Sequence, residues 1–442
     1  MRHALLFPVL FLIAGMSVAL GDPLPAPITD DLFAPIDPAE AALGQLLFYD
    51  PILSGNRNIA CATCHHPKFA TADGVALAIG EGGIGLGPDR HADPAHMPDE
   101  RIPRNAPALF NLGAHEFTTM FHDGRLQADP AQPGGFRTPM DTDMVTGFAS
   151  VLSAQTMFPV LSSAEMAGSF RENEIGRAVR QGLITGKGGA WDLIARRVAD
   201  VPAYAQRFRA LYPHINSGTD IAFTDISNAI AAFMAFEWRS DTAPFDAVLR
   251  GETKLDGAAL RGMNLFYGPA NCATCHSGPF QTDHRFHAMG APQIGPGKIA
   301  PFENHHGDAG RYLVTGDPAD MFAFRTPSLR NVVLTAPYGH AGGHAELRDF
   351  IAAHADPLRG LQEFDPANVH LPDLPSDDFT VMQDPEQVDA IAASVTTPAV
   401  TLTSQDIDDI LAFLDTLTDP VAIRGRLGIP AAVPSGLPVP RH

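Results

Sequence analysis

Basic residues are scarce in this 442-residue chain: 30 Lys and Arg stand against 50 Asp and Glu, a net charge of −20. Nucleic-acid binding requires a basic footprint, so that class is excluded. Charged residues of both signs make up only 18% of the chain, whereas apolar residues make up 45%. Such a composition excludes a disordered chain and leaves enough apolar side chains for substantial cores in two or three domains. Gly (40) and Pro (39) call for many ordered loops between short elements. Long hydrophobic runs are missing after the first twenty residues. The one run, Ala4 to Leu20 behind Met1-Arg2-His3, is shorter than the roughly 20 apolar residues a span requires, and Asp22-Pro23 ends it. With small residues at Ala19 and Gly21 it reads as a signal peptide over residues 1–21, cleaved near Gly21 to leave Asp22 first. The mature chain is expected in the periplasm without a membrane span.

Cysteine is also rare, and none is spare. All four lie in two identical pentapeptides, Cys61-Ala-Thr-Cys64-His65 and Cys272-Ala-Thr-Cys275-His276. A zinc site would need further Cys or paired His at ligand spacing, and a redox dithiol has no use for the following His. Cys-x-x-Cys-His is the c-type haem attachment signature: two thiols add to the vinyl groups of one haem and the His takes the iron from the proximal side. Two copies predict two covalently bound c-type haems, with His65 and His276 as proximal ligands.

The surroundings repeat as well. Gly44-Gln-Leu-Leu-Phe48-Tyr49 precedes the first motif and Gly262-Met-Asn-Leu-Phe266-Tyr267 the second, each on a helical pattern. Asp37-Pro38-Ala39-Glu40 supplies a cap, a first-turn proline and a Glu three residues on; Asp256-Gly257 opens the second helix. Ile407, Ile410, Leu411, Leu414 and Leu417 recur at helical spacing near the C-terminus, as befits a closing helix packed on an opening one. Further helical patterns run from Glu174 to Leu183, Trp191 to Val198 and Asp225 to Trp238, while strand alternation is scarce. The expected fold is mainly α, two cytochrome c-like domains in tandem (22–250 and 251–442) with long Gly/Pro-rich loops.

The sixth ligand of each iron largely sets its function. Leu347, Phe350, Ile351 and His354 share one helix face. His354 is either a core histidine or the distal ligand of the second haem, with Met289, Met321, His340 and His344 as the other candidates. After His65 the glycine-rich stretch Ile79-Gly-Glu81-Gly-Gly83 has no His before His91, and His66 is too close to the proximal ligand to reach the far face. Glu81 is either a weak ligand, a holder of water or a plain loop acid, so the first iron is expected to be five-coordinate or water-bound.

With these motifs the chain resembles the bacterial dihaem cytochrome c peroxidase/MauG superfamily. Further matches are Ile102-Pro-Arg-Asn-Ala-Pro107, Phe121-His-Asp-Gly-Arg125, Phe324-Arg-Thr-Pro-Ser-Leu-Arg-Asn331 and Leu334-Thr-Ala-Pro-Tyr338. The resemblance implies a distal Gln and Glu over the reactive haem. These are Gln155 and Glu165, with Pro159 between them, although roughly Ala128 to Ser150 looks inserted relative to the family. A carboxylate there can relay a peroxide proton and an amide can orient the peroxide. One calcium between the haems is implied too, at Asn105, Thr335 and Pro337, whose oxygen donors suit a hard cation.

Three departures stand out. The gating His that ordinary peroxidases of the family carry in the glycine loop is replaced by Glu81. The Met position of the high-potential haem is occupied by His354. The inter-haem Trp aligns with His122. An open first haem beside a bis-His second one is similar to the MauG/MbnH branch. That likeness implies an enzyme that reduces hydrogen peroxide and oxidises Trp or Tyr of a partner protein. The alternatives are a cytochrome c peroxidase fed by a small redox protein and a non-catalytic electron-transfer cytochrome.

Overall fold

The computed structural model describes residues 23–298 and 306–441; the expected signal peptide lies outside them. Helices dominate, and strands are confined to short antiparallel pieces, the largest a three-stranded sheet of Thr119–Met120, Leu126–Ala128 and Phe136–Arg137. Register there pairs Met120 with Leu126 and Gln127 with Arg137. No helix among the described residues is long and apolar enough to cross a membrane.

Two helix pairs organise the chain. Helix α1 (Pro38–Phe48) precedes the first haem motif, which itself forms the single turn α2 (Cys61–Cys64). Short α3 (Val151–Gln155) follows, then α4 (Phe223–Glu237), which packs across α1. The second half repeats this pairing: α5 (Gly257–Phe266) precedes the second motif, α6 (Leu347–Ala355) carries His354, and α7 (Ser404–Asp415) packs across α5.

Glycine makes both crossings possible. A Cβ on Gly44 would come 1.8 Å from the Ala229 carbonyl oxygen, and one on Gly262 would come 1.8 Å from that of Asp409. Four residues beyond each contact the aromatic pairs also correspond: Phe48 meets Phe233 at 5.2 Å and Phe266 meets Phe413 at 5.2 Å. Each such ring buries an apolar surface worth about 1.5–3 kcal/mol, so these crossings anchor two separate aromatic cores.

The helix starts differ in detail from expectation. Asp37 caps α1 by accepting from the Ala39 N–H (2.8 Å), but Glu40 does not close a capping box; it accepts instead from the Tyr212 hydroxyl (2.5 Å). Asp256 precedes α5 without a capping hydrogen bond. At the other end the C-terminal segment crosses back to α4. The Glu237 carboxylate accepts from the N–H groups of Arg426, Leu427 and Gly428 (2.8, 2.6 and 2.7 Å). Residues 128–150 add the third strand of the small sheet and tie into α4, where Asn228 accepts from Ala149 N–H (2.9 Å).

Candidate functional site

Each haem motif folds into one tight turn that gathers its cysteines and histidine. The His65 N–H donates to Cys61 O (3.0 Å) and the His276 N–H to Cys272 O (2.9 Å). Both imidazoles are fixed by Nδ1–H bonds to backbone carbonyls, His65 to Thr71 (2.9 Å) and His276 to Gln281 (3.1 Å). Thr71 and Gln281 both adopt left-handed backbone, φ 65° and 49°, an uncommon state that persists only where the surroundings enforce it. A second carbonyl, of Pro107 or Pro327, also acts on each ring, and burial lowers both rings' proton affinity. An imidazole that is neutral, fixed through Nδ1 and free at Nε2 suits an axial metal ligand. The four thiols form no disulfide. The donor set at both motifs therefore fits haem.

On the second side, His354 lines a pocket with Met289, His344, Phe350 and Leu361. Burial and the neighbouring His276 and His344 rings push its pKa down to about 4. The Phe350 ring lies 4.3 Å from it, and the Met289 thioether accepts from Thr397 Oγ1 (3.1 Å). Of the other candidates, Met289 and His344 share this pocket, whereas Met321 and His340 do not line it. His340 instead stacks on Phe324 (3.7 Å between ring centres), where Asp308, Arg104 and His122 act on it.

Around the first motif, Gln155 ends α3 with its Oε1 buried and without a hydrogen-bond partner. Glu165 sits in the turn Ser163–Ala167, its N–H held by Ser162 Oγ (3.2 Å). Burial raises its proton affinity while Arg125 and Lys298 oppose the rise. The glycine loop packs directly on this turn: Glu81 N–H donates to Ala164 O (2.9 Å), and a Cβ on Gly80 would come 2.1 Å from that oxygen. Glu81 does not reach out as a free ligand. Its Oε2 accepts from Asn58 (2.9 Å) and Asn56 (3.3 Å), leaving Oε1 buried without a partner. Buried Arg90 staples the loop by donating to the carbonyls of Ile79, Gly80 (2.6 Å) and Gly85 (2.8 Å).

Between the motifs, Asn105 Nδ2 donates to Pro337 O (2.7 Å) and its Oδ1 is buried without a partner. Thr335 lies two residues before Pro337, its hydroxyl turned to Val332 O (3.0 Å). His122 Nε2–H donates to Asn105 O (3.1 Å), and the His122 carbonyl accepts from Arg325 N–H (2.8 Å). Burial beside Arg104 brings His122 down to about 4, so the ring is neutral.

Sequence reading missed the influence of Arg125 and Lys298 on Glu165, the stacking of His340 on Phe324, and the carbonyls that orient both proximal histidines. Arg125 was in view within Phe121-His-Asp-Gly-Arg125, but nothing in the sequence pairs it with Glu165.

Residues 38–254 match the family model described as di-haem cytochrome c peroxidase. Among curated relatives, cytochrome c551 peroxidase of Pseudomonas aeruginosa is 28% identical over 345 residues, 78% of this chain and 80% of its own length. MauG, a methylamine utilization protein of Methylorubrum extorquens, is 31% identical over 313 residues, 70% of this chain and 66% of its own. A solved MauG-like protein associated with microbial copper homeostasis superposes with a TM-score of 0.56 at 27% identity, covering 92% of this chain and 96% of that one. The chain belongs to the dihaem cytochrome c peroxidase/MauG superfamily, haem-dependent oxidoreductases that use peroxide.

Proposed function

We propose that the chain reduces hydrogen peroxide at the haem held by His65 and passes the oxidising equivalents, through a bis-His haem at His276 and His354, to Trp or Tyr side chains of a partner protein. The observation that carries this reading is the glycine loop. Where a displaceable His is expected there is Glu81, tied to Asn56 and Asn58, in a loop stapled by Arg90 and seated on Ala164. A loop held this way offers no side chain that could swing in and out as a redox-gated ligand to a haem held by His65.

The two haems that family membership implies are read as thioether-linked to Cys61, Cys64, Cys272 and Cys275; when bound, they supply the redox chemistry and the store of oxidising equivalents. The residues supply the proton chemistry. Glu165 would take the proton from one oxygen of peroxide and return it to the other, which leaves as water; the two electrons that break the O–O bond would come from the haems when bound and be replaced by the partner's Trp or Tyr, and the remaining oxygen would leave as a second water on taking up two protons. Gln155, with its unpartnered buried Oε1, orients the peroxide. His122 offers the link between the two sites. The bonded path runs from the Pro107 carbonyl at His65 through Asn105 O, His122 and Arg325 to the Pro327 carbonyl at His276.

Asn105, Thr335 and Pro337 are read as calcium donors. A half-turn of the Asn105 amide sets Oδ1 beside the Pro337 carbonyl, and this oxygen pair suits a hard cation. Residues 22–250 then form the reactive half and 251–442 the electron-transfer half of a periplasmic enzyme.

The donor experiment tests the reading against a plain peroxidase. Given peroxide and a reduced small cytochrome, the protein is expected to turn over slowly, whereas Trp or Tyr oxidation appears by mass spectrometry in its partner protein. Fast, salt-sensitive cytochrome oxidation with an unmodified partner would restore the detoxifying peroxidase.

A further inference from the structure

Arg330 belongs to the segment Phe324–Asn331 but takes no part in the path between the two sites. Its side chain and that of Asp246 are both 0% exposed, and its NH1 pairs with Asp246 Oδ1 (2.7 Å). A charge pair taken wholly out of water is costly and persists where further bonds hold it. Here those bonds lead to the second haem motif. Arg330 Nε and NH2 both donate to Pro279 O (3.2 and 2.5 Å), three residues past His276. In the same turn Gln281 donates to Gly278 O through its N–H (3.2 Å) and its Nε2 (3.2 Å), and Gln281 O is the acceptor for His276 Nδ1 (3.1 Å). Gln281 is in left-handed backbone, φ 49°, so the direction of its carbonyl depends on a turn held from outside. Asp246 is itself fixed. It lies in the helical turn Pro244–Leu249, its Oδ2 accepts from Ala243 N–H (2.9 Å), and the adjoining Phe245 meets Phe413 at 5.0 Å in the second aromatic core. The turn after the first motif is braced by different means, with Leu109 N–H donating to Thr71 Oγ1 (2.8 Å).

We propose that Arg330, anchored by Asp246, is a positioning residue for the proximal ligand of the second haem: it pins Pro279 O and, through the turn to Gln281, fixes the carbonyl that holds the His276 ring. This deepens the reading of a His276 and His354 haem as the store of oxidising equivalents, and rests on it. A firm Nδ1–H bond to a carbonyl sets the rotation of the imidazole about its metal bond and raises its basicity. A more basic ligand favours the oxidised states of the iron, which are the states such a store occupies.

The test is EPR with a redox titration of the holoprotein and two variants. Arg330→Lys keeps a positive charge beside Asp246, but one ammonium does not reproduce the guanidinium fork that reaches both Asp246 and Pro279. The double variant Asp246→Asn with Arg330→Met removes the pair without leaving a buried charge unpaired, which preserves the fold. The largest g value of a low-spin haem with two imidazole ligands reports the angle between the two ring planes. In both variants that g value of the second haem is expected to shift or broaden and the reduction potential of the same haem to rise, while the signal of the first haem stays put. A g value and potential unmoved in both variants would make the pair merely structural. A change in the double variant that is missing in Arg330→Lys would make its charge, not its geometry, the agent. Either result overturns the proposal and leaves the function reading standing. A wild-type protein without a low-spin bis-imidazole signal overturns the function reading and this proposal with it.

Discussion

Replacing His354 with Ala is expected to convert the second haem from low-spin to high-spin, with nearly complete loss of its low-spin EPR signal. Helix α6 sets this histidine by packing Phe350 and Ile351 into the core of the second half, which leaves the His354 ring in the pocket beside His276. Alanine supplies no donor. The two other groups in the pocket are poorly disposed to replace it, because the Met289 thioether is engaged by Thr397 and His344 is held in the backbone pairing with Tyr338. An Ala variant with an intact low-spin signal and an unchanged reduction potential would remove His354 as ligand. A low-spin signal with a raised potential would instead show that Met289 had taken its place, since thioether ligation favours the reduced iron. Partner oxidation should fall at least tenfold in the high-spin variant, while the first haem still consumes peroxide.

Glu165→Gln should slow the reaction of the oxidised protein with peroxide by roughly 10²–10⁴-fold, the range that a positioned acid–base group contributes. The direction of the pH dependence follows from the burial of this carboxyl. Its proton affinity is raised, and only the carboxylate can accept the peroxide proton. The wild-type rate therefore climbs as pH rises through the Glu165 pKa and falls on acidification. Glutamine keeps the shape but cannot take up a proton, so the rate of the variant should be low and flat across the same range in stopped-flow traces. Gln155→Ala should cost less, because an amide orients the peroxide without moving a proton.

The parts of the molecule legible in the sequence are those governed by local chemistry. The attachment pentapeptides, the Asp37 cap and the apolar face of α7 each announce themselves within a dozen residues. Helix α4 was legible as a helix but not as the partner of α1. It is buried over most of its surface, so it has no amphipathic stripe to show which side meets which neighbour, and Gly44 finds Ala229 only in three dimensions. The capping box at Glu40 failed for a related reason: the hydroxyl of Tyr212, at the junction between two helices far along the chain, competes successfully for the carboxylate. At the site, His354 could be found from helical spacing and a nearby haem motif. Arg125 and Lys298 could not, because their meaning lies in charges that act on Glu165 from 40 and 133 residues away in sequence; His340 was in view only as a ligand candidate, not as the ring that stacks on Phe324. Glu81 stood between the two cases. Its identity excluded a histidine gate, but only the bonds from Asn56, Asn58 and Arg90 reveal a loop with no freedom to act as one.

The most direct measurement is the EPR and visible spectrum of the fully oxidised protein before and after one equivalent of hydrogen peroxide, with no reductant added. An open first haem and a bis-His second one give a mixture of high-spin and low-spin signals, and both should bleach on peroxide addition. Two low-spin signals that stay inert until the protein is half-reduced would contradict the stapled, open site and reinstate a gated peroxidase; signals inert even then would leave an electron carrier and no enzyme.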